Sequence, residues 1–123
     1  MKSFEFIKMQ GLGNDFVIID NSENLEEIKK KEILKKIGSR NFGVGCDQIL
    51  IIESHNYKNA EVSIFNNDGS EAGACGNGVR CVASYLMNKK NTNKIKIQTI
   101  SGSLDCWIEN NNVFVNMGKP IFD

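Results

Sequence analysis

Cys75 stands out as the residue whose setting suits chemistry. Gly76, Asn77 and Gly78 follow it, and from Val79 onward Val79, Val82, Ala83 and Leu86 recur at i, i+3, i+4 and i+7, the spacing of one helix face. Cys75 is therefore predicted to sit just ahead of a helix whose first turn is glycine-rich. That turn has N–H groups with no intrahelical partner and carries the positive end of the helix dipole. Both pull a thiol below its free pKa of about 8.5 and favour the reactive thiolate. The same N–H groups can hold a carboxylate, and the glycines leave the backbone open to a ligand. Most free cysteines are small buried apolar residues, but a structural thiol has no need of a bare backbone beside it.

The elements that would position this stretch read as follows. Val62 to Phe65 is an apolar run ending at the turn dipeptide Asp68-Gly69, so a strand delivers the cysteine segment. Phe4 to Met9 alternates as a half-buried strand does, and Phe16 to Ile19 continues after the turn Gly11-Leu12-Gly13-Asn14-Asp15. Residues 25–37 are predicted as one helix with the stripe Leu25, Ile28, Leu34 and Ile37, candidate N-caps Asn21, Ser22 and Asn24, and Gly38 as C-cap. A glycine-rich loop from Arg40 to Gln48 precedes the buried strand Ile49 to Glu53, and residues 54–60 read as a polar loop. Cys46, in the glycine-rich loop, is expected to be an exposed thiol. The helix after Cys75 extends to about Met87 and is apolar on nearly every side, which requires enclosure by other elements. Ile95 to Thr99, Leu104 to Ile108 and Val113 to Met117 alternate as strands, joined at Ser101-Gly102 and at Asn110-Asn111-Asn112. About seven strands and two helices result. The fold class expected is α+β, an antiparallel, barrel-like sheet wrapped around a central helix.

Composition narrows the function. The 123 residues suffice for one domain with a core, 41% are hydrophobic, and 15 basic residues balance 15 acidic ones. A balanced charge offers no footprint for nucleic acid or an anionic membrane. No stretch reaches the roughly 18 apolar residues of a membrane span, and residues 1–9 lack a signal-peptide pattern, so a cytoplasmic setting is expected. The four cysteines are then expected as thiols. None form a Cys-x-x-Cys pair and His55 is the single histidine, so no metal site is expected.

Four segments, taken in order and spacing, resemble the diaminopimelate epimerase family: Met9-Gln10-Gly11-Leu12-Gly13-Asn14-Asp15-Phe16, Gly43-Val44-Gly45-Cys46-Asp47-Gln48, Phe65-Asn66-Asn67-Asp68-Gly69-Ser70-Glu71 and Ala74-Cys75-Gly76-Asn77-Gly78-Val79-Arg80-Cys81. Val115 to Pro120 is similar to the segment that closes the family's first domain. The resemblance covers essentially all of residues 1–123, as a single domain corresponding to the family's N-terminal half. It implies an enzyme that interconverts LL- and meso-2,6-diaminopimelate in lysine and peptidoglycan precursor synthesis, with two cysteines as acid and base and no cofactor. Cys75 matches the first-domain catalytic cysteine. Gly76 and Asn77 match the positions whose backbone holds the carboxylate at the reacting carbon, and Asn14, Gln48 and Asn66 match polar contacts to substrate. The expected partner is a second epimerase domain carrying the other cysteine, or alternatively a second copy of this chain. Two other functions fit the same fold: a racemase or isomerase acting on another amino acid, and a half-domain that only binds a ligand or a partner chain.

Overall fold

Two chain crossovers on opposite faces of one sheet organise the molecule. The structure is a computed structural model and describes residues 6–11, 13–20, 25–41, 43–73 and 76–116. Cys75, the N-cap candidates Asn21, Ser22 and Asn24, and the closing segment from residue 117 onward lie outside the described residues. Among the described residues the elements in order are β1 (Ile7–Gly11), β2 (Asn14–Ile19), α1 (Leu25–Ile28), α2 (Lys31–Gly38), β3 (Gln48–His55), β4 (Asn59–Asn66), β5 (Glu71–Ala72), α3 (Gly76–Lys90), β6 (Lys94–Thr99), β7 (Gly102–Glu109) and β8 (Asn112–Asn116). The strand order is β1-β2-β3-β4-β6-β7-β8, with β5 paired to β4.

Most neighbours are antiparallel, as the alternation and hairpin turns require. Asn110 and Asn111 take φ of 52° and 66° between β7 and β8, the left-handed pair that a two-residue hairpin turn needs. Two junctions are parallel, β2 with β3 and β4 with β6. A parallel pair needs a crossover. The first runs through α1 and α2, and the second through α3.

The crossovers explain the burial of β2 and β3. Phe16, Ile18, Leu50 and Ile52 face α3 in one core, together with Val79, Val82, Leu86, Ile97 and Leu104. Their neighbours Val17, Ile19, Ile49 and Ile51 face Ile28, Leu34 and Ile37 in a second core. Continuous apolar runs are what strands buried on both faces need. The sheet curls about α3, which contacts β1, β2, β3, β6, β7 and β8. Seven of its residues are buried, from Gly78 to Met87. The enclosed helix expected from sequence is therefore present.

Four expectations need correction. The single helix over residues 25–37 is two: Lys30 is extended, with φ −65° and ψ 135°, and α2 restarts with Leu34 N–H bonded to Lys30 O at 3.0 Å. The interruption leaves Lys29 Nζ 2.8 Å from Glu53 Oε1, tying the first crossover to the sheet. Gly38 is the last residue of α2 rather than its cap, and extended Ser39 takes that place. The polar loop over residues 54–60 shrinks to a turn, because Asn56 Oδ1 accepts the N–H groups of Lys58 and Asn59, both at 2.9 Å, and lets β3 and β4 extend toward it. Cys46 is buried, not exposed. Gly45 N–H bonds Ile37 O at 3.0 Å and Cys46 N–H bonds Gly38 O at 3.4 Å, so the loop folds back along the end of α2, and the Cys46 side chain enters the second core with 0% exposure. Burial pushes its thiol up to about 11.

Candidate active site

Side chains alternate across a strand, so residues two apart share a face. Asn14 shares its face with Phe16 and Ile18, Gln48 with Leu50 and Ile52, and Asn66 with Ile64 and Val62, all of which pack on α3. The three polar residues thus mark the α3 side of the sheet, at one end of three adjoining strands. Gln48 is paired with Phe16 on one side and with Asn66 on the other, forming a single row. Asn14 lies next to this row on β2, opposite Gly11.

The row is held by side-chain amides. Gln48 Nε2 donates to Asn66 Oδ1 at 3.2 Å, and Asn66 Nδ2 donates to Ser70 Oγ at 3.1 Å. Ser70 Oγ in turn donates to Asp68 Oδ1 at 2.6 Å. Gly69, with φ of 88°, closes the turn, and its N–H bonds Asn66 O at 3.0 Å. Asn66 therefore serves the turn as well as facing the α3 side. Asn14 is exposed, while Gln48 and Asn66 are half-buried.

Gly76 and Asn77 begin α3, and both are half-buried. The next residue explains why the helix starts here against the sheet. A Cβ on Gly78 would lie 3.0 Å from Leu50 Cδ2 and 3.4 Å from Phe16 Cε1, so the bare backbone lets the first turn settle on the strands that carry Asn14 and Gln48. A Cβ on Gly11, opposite Asn14, would lie 3.3 Å from Cys81 Sγ and 3.9 Å from Asn77 O. The first turn of α3 and the polar row thus occupy the same end of the sheet. Cys75 is the chain neighbour of Gly76.

The other thiols are unlike a reactive one. Cys46, Cys81 and Cys106 are all buried. Burial pushes Cys106 up to about 12, with the neighbouring Asp105 charge adding to the effect. No group of three or more His, Cys, Asp or Glu side chains suited to a metal ion occurs among the described residues, and no helix there is long and apolar enough to cross a membrane.

Sequence reading did not find a charged cluster beside the polar row. Arg40 donates from Nη1 to Asp15 Oδ2 at 3.1 Å and from Nη2 to Asp15 Oδ1 at 2.9 Å. Its Nη2 also reaches Asp47 Oδ1 at 3.2 Å. The Arg40 guanidinium beside Asp15 holds that carboxyl well below its ordinary range, although burial opposes it. Gln10, Gly13, Asn14, Asp15, Arg40 and Asp47 line an indentation of about 290 Å³. Asp15 and Asp47 are 32 positions apart, and no local spacing announces their pairing.

Comparisons with known proteins identify the family and the fold. Residues 6–122 match the family model described as diaminopimelate epimerase. The diaminopimelate epimerase of Carboxydothermus hydrogenoformans is 42% identical over 122 residues, covering 95% of this chain and 44% of that protein. That of Teredinibacter turnerae is 46% identical over 121 residues, covering 94% and 44%. This chain thus spans about half the length of the curated relatives it matches. Among solved structures, a phenazine biosynthesis protein of the PhzF family from Enterococcus faecalis superposes with a TM-score of 0.65 at 11% identity, over 89% of this chain and 42% of that one. A protein from Pseudomonas aeruginosa described as a predicted epimerase gives 0.66 at 12% identity, over 92% and 42%. At these identities the likeness is one of fold.

Proposed function

The chain belongs to the diaminopimelate epimerase family, and from that premise we propose that it supplies the N-terminal half of a cofactor-independent epimerase acting on 2,6-diaminopimelate. The observation that supports this most is the shared position of the Gln48–Asn66 row and the first turn of α3 at one end of the sheet.

In this reading Cys75 is one of two acid–base thiols. Its thiolate takes the proton from one face of the substrate Cα. The electron pair spreads into the adjoining carboxylate as an enediolate, whose growing charge the N–H groups of Gly76 and Asn77 stabilise. A thiol on a second epimerase domain returns a proton to the opposite face, and configuration inverts. Asn14, Gln48 and Asn66 hold the polar groups of the substrate. The thiols suit this exchange because a helix N-terminus tunes them toward neutrality. The product serves lysine and peptidoglycan precursor synthesis.

One thiol reaches one face, so these 123 residues alone are expected not to invert the substrate. Addition of a separately produced second domain is expected to restore inversion. The test is deuterium incorporation from solvent at Cα of LL- or meso-diaminopimelate, followed by chiral separation. Inversion by the chain alone that vanishes in Cys75→Ala would favour a homodimer opposing two copies of Cys75. Inversion that survives Cys75→Ala would remove the catalytic assignment.

A further inference from the structure

We propose that Arg40, Asp15 and Asp47 form a positioning clamp that sets the placement of Asn14 and Gln48 through the backbone where β2 and β3 begin to pair. The ligand-facing part of this proposal rests on the reading that Asn14 and Gln48 contact diaminopimelate.

Asp15 follows Asn14 and Asp47 precedes Gln48, so each acidic residue adjoins a proposed contact residue along the backbone. Asn14 and Gln48 share the α3 face, and the alternation of a strand turns Asp15 to the other one. There the two aspartates bind each other's backbone reciprocally. Asp15 N–H donates to Asp47 Oδ2 at 2.9 Å, and Asp47 N–H donates to Asp15 Oδ1 at 3.1 Å. Asp47 N–H also lies 3.0 Å from Asp15 O. These bonds sit immediately before Phe16↔Gln48, the first rung of the parallel β2–β3 pair.

A tight hairpin sets the register of an antiparallel pair, but a parallel pair has no such turn. A slip of one residue would carry Gln48 to the wrong face. The clamp holds the rung at the point where the pairing begins. It brings together two like charges that would repel each other, and the planar fork of Arg40 bridges both carboxylates. Lys8 Nζ, 3.3 Å from Asp15 Oδ2, adds a second positive charge. Arg40 touches none of the three amide side chains through a described hydrogen bond, and its side chain is 55% exposed. Its effect on them is thus exerted through Asp15 and Asp47.

The test compares amide hydrogen exchange by NMR in the 15N-labelled chain and its Arg40→Gln and Arg40→Gln/Asp47→Asn variants, with meso-diaminopimelate titrated into each after reconstitution with a second epimerase domain. Arg40→Gln is expected to speed exchange at the Asp15 and Asp47 N–H groups about tenfold, the scale of one lost hydrogen bond, while Leu50 and Ile64 remain protected. The side-chain amide signals of Gln48 should shift, and diaminopimelate binding should weaken in parallel. Adding Asp47→Asn removes the repulsion and keeps an acceptor for the Asp15 N–H, so exchange at Asp15 and binding should return toward wild type. Were Arg40→Gln not to fold, a folded double variant with near-wild-type protection at Asp15 would carry the same support. Unchanged exchange at Asp15 and Asp47 in Arg40→Gln would overturn the clamp, as would loss spread equally over Leu50 and Ile64. Lost binding that Asp47→Asn fails to rescue would also overturn it, and would make Arg40 a direct ligand contact. A reconstituted wild-type protein that ignores diaminopimelate would defeat the substrate reading, whereas exchange at Asp15, Asp47 and the Gln48 side chain would still decide the clamp.

Discussion

Gln48 and Asn66 face each other across β3 and β4, and Gln48 Nε2 donates to Asn66 Oδ1 at 3.2 Å. The bond leaves each amide with hydrogen-bonding capacity for a ligand, because a carboxamide has two donor hydrogens and two acceptor lone pairs. Asn66→Ala removes this bond and the one to Ser70 Oγ. Each is worth about 1 kcal/mol, so a modest fall in melting temperature is expected, with a larger proportional loss of diaminopimelate affinity. Thermal melts and titration in a reconstituted two-domain protein measure the two effects. Unchanged affinity alongside a large loss of stability would assign Asn66 to the turn alone.

Thiol reactivity separates the cysteines. Cys46 and Cys106, pushed by burial up to about 11 and about 12, should alkylate slowly near neutral pH. Cys75, followed by the glycine-rich start of α3, is expected to react first. Brief iodoacetamide treatment and peptide mapping give the order. First labelling at Cys46 or Cys106 would contradict the assignment of Cys75.

The Arg40–Asp15 pair predicts an acid-sensitive contribution to stability. The folded-state pKa of Asp15 is lowered from 3.8. Its contribution is present above the unfolded value and is lost as pH falls from there toward the folded one, because only the unfolded chain takes up the proton in that window. Asp20 is also lowered: burial would raise it, but hydrogen bonds from Lys89 and Tyr85 outweigh that. Arg40→Gln should therefore differ most from wild type at neutral pH, and the difference should begin to shrink only as pH falls below about 4, toward the lowered folded-state value. Urea denaturation over a pH series tests the sign.

Gly38→Ala should destabilise the protein, although alanine is ordinarily the better helix residue. The added Cβ would stand 2.7 Å from Asn67 O and 2.8 Å from Asn67 Cα. Both are backbone atoms of the turn that carries Asn66, and Asn67 is itself fixed by Nδ2 donating to Cys46 O at 3.1 Å. A cost of about 1–3 kcal/mol is expected from such overpacking, with weakened ligand binding as the turn shifts. Chemical denaturation and titration read the two consequences.

Local periodicity carried much of the fold. Ile95, Ile97, Leu104 and Cys106 alternate with polar residues, and all four face the core. The unbroken run Ile49 to Ile52 signalled burial on both faces. The break at Lys30 was illegible because Leu25, Ile28, Leu34 and Ile37 preserve a helical stripe across it. Two-residue β5 is too short to show a period. Within the candidate site, Gln48 and Asn66 were named through their motifs, but their mutual bond depends on strand register. Arg40 and Asp15, 25 positions apart, meet only once the first crossover is complete.

The two crossovers also give the sheet unequal sides. Around β2 and β3 it is enclosed from both directions, by α3 and by α1 with α2. On β6 and β7 most residues opposite α3, among them Lys94, Lys96 and Asp105, are exposed. Opening free energies should rise across the molecule from β8 toward β3, so that disassembly begins at one margin. Trp107, the sole tryptophan, stacks on half-exposed Phe114 with ring centroids 5.7 Å apart on that thinner margin. Its fluorescence would then report an early, local event, and loss of helical circular dichroism a later and global one.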